Sequence, residues 1–299
     1  MNFLKYSKIF FSLAILTMGL SLYAIFAFGL NLGIDFEGGS LISITYTGER
    51  PSMEEIKDSL SSVDNLGILI QPLGENEISL KIREKDISSN VFSEIINLLP
   101  GEFDQSGTSI ETISPTVGQE LKDKTFIVVV AALLAMLAYI ALAFRNVPKP
   151  ITPFQYGISS TLTLFHDIII PLGFLAFVGH YYGVQVNIPV ITALLTIVGY
   201  SINNNIVIFD RIRENLKRDS KSSYGEIVNK SLNETIVRCI NTSITVLIAL
   251  AALYYFFANE ESLKYFTLIM GLGVIIGLYS AIFLASPSLV AWNNYRRKK

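Results

Sequence analysis

The chain has 299 residues, 51% of them hydrophobic and only 16% charged, with a mean hydropathy of +0.48. A soluble domain carries about 25% charged residues, so this composition excludes a disordered chain and argues against an ordinary water-soluble enzyme. One cysteine and two histidines leave no room for a disulfide framework, a Cys-based metal site or His-rich metal chemistry, and the formal net charge of -2 conceals two opposite halves.

About 20 mostly apolar residues are needed to cross the roughly 30 Å of hydrocarbon in a bilayer. Ile9–Leu30 is the first such stretch. Lys5 and Lys8 precede it, and Ala27-Phe28-Gly29 loosely resembles a cleavage site. Its 22 residues exceed the usual 7–15 or so of a signal peptide, so an uncleaved anchor is expected. Next comes a polar insert of 94 residues, Asn31–Lys124. Within it, Ser40–Thr47 alternates like a strand. Pro51–Val63 reads as a helix opened by a Ser52–Glu55 capping box. Leu66–Gln71 is a short β run, Gly74-Glu75-Asn76 a turn, and Glu77–Arg83 alternates again. Ile87–Leu99 has helical spacing at Val91, Ile95 and Leu98 and is ended by Pro100-Gly101. Gly107–Ile113 is the last candidate strand. The order β-α-β-β-α-β predicts a ferredoxin-like α+β domain. With no His, no Cys and no nucleophile elbow, it reads as an interaction module.

Five further spans follow: Thr125–Phe144, Ile158–Val178, Ile188–Phe209, Cys239–Ala258 and Tyr265–Ser286. The expected organisation is a first transmembrane helix over 1–30, an extracytoplasmic α+β domain over 31–124, and a five-helix membrane region over 125–299. The last contains a cytoplasmic loop at 210–238 and a basic C-terminal tail. An even number of spans puts both termini on one side. With the termini inside, the inner segments hold 15 Lys and Arg residues and the short outer connections only Lys264, so the positive-inside rule predicts cytoplasmic termini. The insert holds 17 acidic and 7 basic residues, net -10, and the remainder 8 acidic and 16 basic, net +8. The acidic surface reads either as ordinary solvation or as a face that repels anionic lipid or attracts basic polypeptide.

Ionisable groups inside spans are costly and point to function. His166 and Asp167 lie in the third span, His166 about 12 Å from its inner end. The fourth carries Ser201 and Asn203-Asn204-Asn205, with Asn203 about 9 Å from the inner end. The fifth opens with Arg238, Asn241, Thr242, Ser243 and Thr245. Three helices thus place polar groups in one inner layer, which must face protein or water. They serve either as interhelical hydrogen-bond glue or as an ion relay. Neighbours on a helix diverge by about 100°, so His166 and Asp167 are not expected to form a hydrogen-bonded dyad. Gly271, Gly273 and Gly277 suit close helix approach, Pro171 and Pro189 bend or start spans, and Cys239 reads as a small apolar residue. Asp210, Arg211, Arg213 and Glu214 follow the fourth span, either as an interfacial anchor or as a docking element that pairs Asp210 with a base on the next helix.

These residues carry a resemblance. Leu32–Ser40 (LGIDFEGGS) resembles the G-I-D-F-x-G-G motif of the SecD/SecF family of protein-export membrane proteins, placing Gly33, Asp35, Phe36, Gly38 and Gly39 in it. Ser114–Lys122 is similar to the family's V-G-x-E-L segment, His166-Asp167 to its H-D pair, Val198–Asn215 to its fourth-span signature and Tyr279–Trp292 to its last-span ending. Six spans with one large loop fit the SecF branch; the SecD branch has a larger first loop. The resemblance implies a membrane all-α six-helix bundle, an RND-like half, bearing one extracytoplasmic α+β ferredoxin-like domain. It implies a bacterial inner-membrane subunit that works with SecD, the SecYEG channel, translocating preprotein and membrane lipids, drawing on the proton gradient. No enzyme activity, cofactor, metal or nucleic-acid partner is expected. One departure stands out: the family's N-D-T reads Asn203-Asn204-Asn205 here, and Asn204 cannot titrate. The alternatives are an RND-type small-molecule or lipid exporter half and a purely structural translocase subunit. Gly38 and Gly39, with their wide conformational range, are expected to form either a passive joint or a pivot.

Overall fold

A computed structural model describes residues 2–66, 68–73, 76–82, 89–145, 150–219, 221–257 and 261–298. The expected Gly74-Glu75 turn, residues 87–88 of the predicted second helix, Arg83, Lys149, Ala258 and Lys299 lie outside the described residues.

Apolar runs become long helices. A 3₁₀ turn at Phe3–Tyr6 leads into α1 (Ser7–Phe28). The short α2 (Ile34–Glu37) falls within the glycine-rich motif and was not foreseen from the sequence, because four residues are too few to show periodicity. Then follow β1 (Gly39–Tyr46), α3 (Met53–Ser59), a 3₁₀ turn (Ser61–Leu66), β2 (Leu69–Leu73), β3 (Glu77–Ile82), α4 (Ser89–Leu98) and β4 (Phe103–Ile113). The rest is helical: α5 (Pro115–Ala143), α6 (Pro153–Tyr182), α7 (Ile188–Arg218), α8 (Tyr224–Phe256), α9 (Glu261–Ser280) and, after a π-helical turn at Ala281–Ala285, α10 (Ser286–Lys298).

The sheet runs β2-β3-β1-β4 with every pairing antiparallel. With α3 between β1 and β2 and α4 between β3 and β4, this is the split β-α-β arrangement predicted from element order. Alternation along β1 buries Ile42, Ile44 and Tyr46 on one face, where Ile78, Leu80 and Ile82 of β3 join Ile56, Leu60 and Ile95 from the helices. Ser52 Oγ accepts the Glu55 N–H, and Glu55 Oε2 accepts the Ser52 N–H, so the predicted capping box is present.

Among the described residues six helices are long and apolar enough to cross a membrane, and the chain is a multi-pass membrane protein. The helices outrun the expected spans. α5 begins at Pro115, directly after β4, so the ten residues assigned to the end of the insert continue straight into the span. α7 likewise runs on through Arg218, and α8 starts at Tyr224, so most of the predicted loop 210–238 is helix. Charge marked those stretches as leaving the bilayer, but backbone hydrogen bonding does not stop where hydrocarbon does. Between them, Asp219 accepts from the Ser222 hydroxyl and from the backbone N–H groups of Ser222 and Lys221, which holds its carboxyl below the usual carboxylate range. The α8 start repeats the capping box with Ser223 and Glu226. Pro189 starts α7, behind an Asn187 N-cap, whereas Pro171 lies inside α6.

About half or more of the apolar stretches in α6, α7 and α9 is buried (50%, 50% and 61%), against 11%, 6% and 11% in α1, α5 and α8. The bundle therefore has a centre of three helices and a largely bare rim. Close approach at the centre depends on glycine: a Cβ on Gly273 would stand 2.2 Å from Ile197 of α7, and one on Gly173 2.4 Å from Ser21 of α1.

Candidate functional site

Asp167 is fully buried where α6, α7 and α9 meet. Its Oδ2 accepts the hydroxyls of Ser201 from α7 at 2.5 Å and Ser280 from α9 at 2.6 Å. Its Oδ1 lies 2.9 Å from His166 Nδ1. This overturns the expectation that the adjacent pair diverge too far to bond. Backbone directions do separate successive side chains, but both are long enough to bend toward one another. The far side of the imidazole, Nε2, is buried without a partner among the described residues. Gly277 of α9 packs directly against the cluster: a Cβ there would meet Ser201 at 3.5 Å and Asp167 Oδ2 at 3.8 Å, ordinary contact distances. The π turn begins immediately after Ser280, and Ser159 Oγ of α6 donates to the carbonyl of its last residue, Ala285.

One turn along α6 and α7, Asn205 Nδ2 donates to Thr163 Oγ1 at 3.0 Å. Asn204 is buried, yet its Nδ2 has no partner among the described residues; nor do Asn205 Oδ1 and Ser160 Oγ. Buried polar atoms are normally satisfied by protein or ordered water, so this row beside Asp167 has the chemistry of a hydrated seam.

The predicted polar layer splits in two. Asp167, His166, Ser201, Asn204 and Asn205 come together inside the bundle. Asn203, Arg238, Asn241 and Thr242 do not join them; they are exposed on the outer faces of α7 and α8. Thr242 returns its hydroxyl to the carbonyls of Arg238 and Cys239. Depth in the span grouped these residues, but helical phase separates them, and the partner of a helix face is not written in that helix's own sequence. Ser280, three residues after Gly277, was missed as a site residue.

A second constellation surrounds the glycine motif. Gly38 and Gly39 have φ of +74° and +118°. A Cβ on Gly38 would lie 2.6 Å from Pro115 of α5, and one on Gly118 would lie 2.9 Å from Gly38 N. Leu32 pairs in a parallel bridge with Val186, fastened by Gly33 N–H to Val186 O at 2.8 Å and Val186 N–H to Asn31 O at 2.7 Å. Asp35 Oδ2 accepts the N–H of Ile188, the first residue of α7, at 2.9 Å. Phe36 is buried among Leu175, Val184 and Val190. Lys81 of β3 donates to Leu32 O at 2.8 Å and pairs with Glu37 at 3.4 Å. Sheet, α5 and the start of α7 therefore converge on one short segment.

At the other end of α7, Asp210 pairs with Arg213 of its own helix at 2.6 Å. Among the described residues Asp210 makes no ion pair to the next helix, the docking alternative that the sequence left open beside an interfacial anchor. Arg211 makes the crossing instead, to Glu234 of α8 at 2.7 Å, while also binding Glu214, and Glu234 accepts Asn215 Nδ2 as well. Position 211 is one helical step, about 100°, round from 210, and that rotation brings it to face α8.

Residues 97–295 match the family described as protein export membrane protein SecD/SecF, C-terminal, and residues 23–48 match the SecD/SecF GG motif. The chain belongs to the SecD/SecF family. Its Asp35 joint is thus the GG motif of that family, and its buried Asp167 lies within the matched C-terminal region. Among curated relatives, protein translocase subunit SecF of Thermobaculum terrenum is 35% identical over 302 residues, covering 97% of this chain and 92% of that one. SecF of Desulfurispirillum indicum is 36% identical over 296 residues, covering 96% and 87%. Among solved structures, SecDF from Thermus thermophilus, a translocon-associated membrane protein, superposes with a TM-score of 0.82 at 31% identity. That match covers 98% of this chain and 39% of the SecDF chain. SecDF in a super-membrane-facing form matches all of this chain with a TM-score of 0.70.

Proposed function

We propose that this chain is a SecF-type accessory subunit of a bacterial Sec translocase, which with SecD and the SecYEG channel uses the proton gradient to promote preprotein export. It sits in the inner membrane with both termini cytoplasmic and the sheet domain outside; the excess of Lys and Arg on the terminal side supports that orientation. A SecD-type partner is supported by the outer face of α7, where Thr192, Thr196, Gly199 and Asn203 form an exposed stripe at helical spacing. An asparagine in mid-span is poorly suited to lipid and well suited to another helix.

The observation that carries the reading is the fully buried carboxylate of Asp167, held by donors from two other helices. In the charged state, Asp167 needs both serine hydroxyls. A proton on Oδ2 makes that oxygen a donor as well as an acceptor, so one of its two serine hydroxyls re-aims, and the packing of α7 and α9 against α6 shifts with it. From Ser201 to Ile188, α7 spans thirteen residues or about 20 Å, ending at Asp35 and the glycine joint. Proton occupancy at the middle of α7 is thereby coupled to the sheet at its first residue. Asn204 lines the seam as a polar, non-titrating group, and the proton step falls to Asp167 with His166.

The test is gradient-dependent export in cells carrying Asp167→Asn or Asn204→Asp as sole copy. Loss of the gradient-dependent component with Asp167→Asn supports the relay; unchanged gradient dependence sinks it. The second reading, a structural subunit without a proton step, is favoured by the amide at Asn204 and predicts that Asp167→Asn lowers complex abundance without altering gradient dependence.

A further inference from the structure

Between α8 and α9, with Phe174 of α6 as its floor, lies an open groove with a cavity of about 480 Å³. Leu247, Leu250 and Tyr254 form one wall and Leu268 and Ile275 the other. Its lining is almost wholly apolar, and the one hydroxyl on the α9 wall, Thr267 Oγ1, is already committed to the Lys264 carbonyl at 2.8 Å. Apart from the Tyr254 hydroxyl on the α8 wall, the groove presents carbon to an occupant. Gly271 keeps it open: only Leu247 Cδ2, at 3.8 Å, approaches the place where its Cβ would stand.

Length and charge identify the occupant. Lys264, Leu268, Gly271 and Ile275 share one face of α9, and the eleven residues from Lys264 to Ile275 span about 16 Å. One leaflet of a bilayer with a roughly 30 Å core is about 15 Å deep. Ser262 and Tyr265, at the Lys264 end, line a small polar pocket together with Asp35 and with Glu111 of β4. The Leu268 end of the groove therefore points toward the sheet, and the Ile275 end away from it. We infer that it is a lipid site, taking one acyl chain of an anionic phospholipid from the leaflet on the sheet side, with Lys264 meeting the headgroup phosphate. The site is independent of the proton relay, and its test reads neither export nor the gradient.

The full chain is reconstituted in phosphatidylethanolamine vesicles containing phosphatidylglycerol with a diazirine on one acyl chain, irradiated, and its peptides mapped by mass. Label concentrated on Leu247–Tyr254 and Leu268–Ile275, above that on the bare helices α1 and α5, supports the site. Gly271→Leu, which fills the groove, should lower that label about tenfold and leave α1 and α5 unchanged. Lys264→Gln should weaken the preference for phosphatidylglycerol over a neutral diazirine lipid about fivefold, the worth of one surface lysine near anionic lipid. Even spread over all lipid-facing helices overturns the proposal, and the wild-type map decides this even where Gly271→Leu does not fold. So does a photoreactive residue at Leu268 that, in native membranes, cross-links to another protein's helix rather than to lipid.

Discussion

Asp167 sets the chemistry of the bundle because its two oxygens gather three polar side chains, His166, Ser201 and Ser280, from three helices. Removing a hydroxyl that serves a charged group costs about 1.5–3 kcal/mol, so Ser201→Ala and Ser280→Ala should each lower thermal stability in detergent. The loss should be smaller in an Asp167→Asn background, which a double-mutant cycle by thermal unfolding measures; additive losses would show that the contacts are incidental. His166→Ala leaves the two serine bonds intact and is expected to slow gradient-dependent export rather than abolish it. The sequence announced Asp167 and His166 simply by placing charge inside an apolar run. It could not announce Ser280, because serine is common in membrane helices and its value here comes from standing opposite a residue 113 positions away. Asn203 and Asn204 carry the same side chain in adjacent places, and only their angle about α7 makes one a surface group and the other an interior one.

At the scale of elements, α7 is held at both ends and in the middle. Asp35 takes its first N–H, Asp167 its Ser201 hydroxyl, and Glu234 its Arg211 guanidinium. Asp35→Ala should therefore leave the sheet folded while decoupling it from the bundle. Hydrogen exchange is expected to rise at the start of α7 and in Asn31–Gly39 but not in β1–β4; a rise throughout the sheet would mean that Asp35 supports the domain instead. Against α9, the limit is steric. Gly273→Val forces atoms into Ile197, an overpacking worth about 1–3 kcal/mol, and Ile197→Ala in the same chain should recover much of the lost melting temperature. The strands and helices of the insert were legible because alternation and capping are local signals. The ends of α5, α7 and α8 were not, since they continue past the hydrophobic stretch on backbone hydrogen bonds and caps such as Ser223.

Across the whole molecule, the charge division makes a topological prediction. In a Cys239→Ser background, a single cysteine at Lys57 on the sheet domain should react with a membrane-impermeant maleimide in intact cells, and one at Lys217 only after lysis; the reverse pattern would invert the proposed orientation. Six spans and their order were evident from apolar length alone, and the sheet's strand order followed from its element order. The joint between sheet and bundle was not, because its two halves are far apart in the chain. That separation has a consequence for assembly. The sheet closes within residues 39–113, but the bond from Ile188 to Asp35 bridges 153 positions. Local pairings form early, and long loops close late. During synthesis the sheet domain can thus be complete while its bond to α7 is still missing. The chain spends that interval as a folded head slung between α1 and α5, and is locked to α7 only when the turn before that helix arrives.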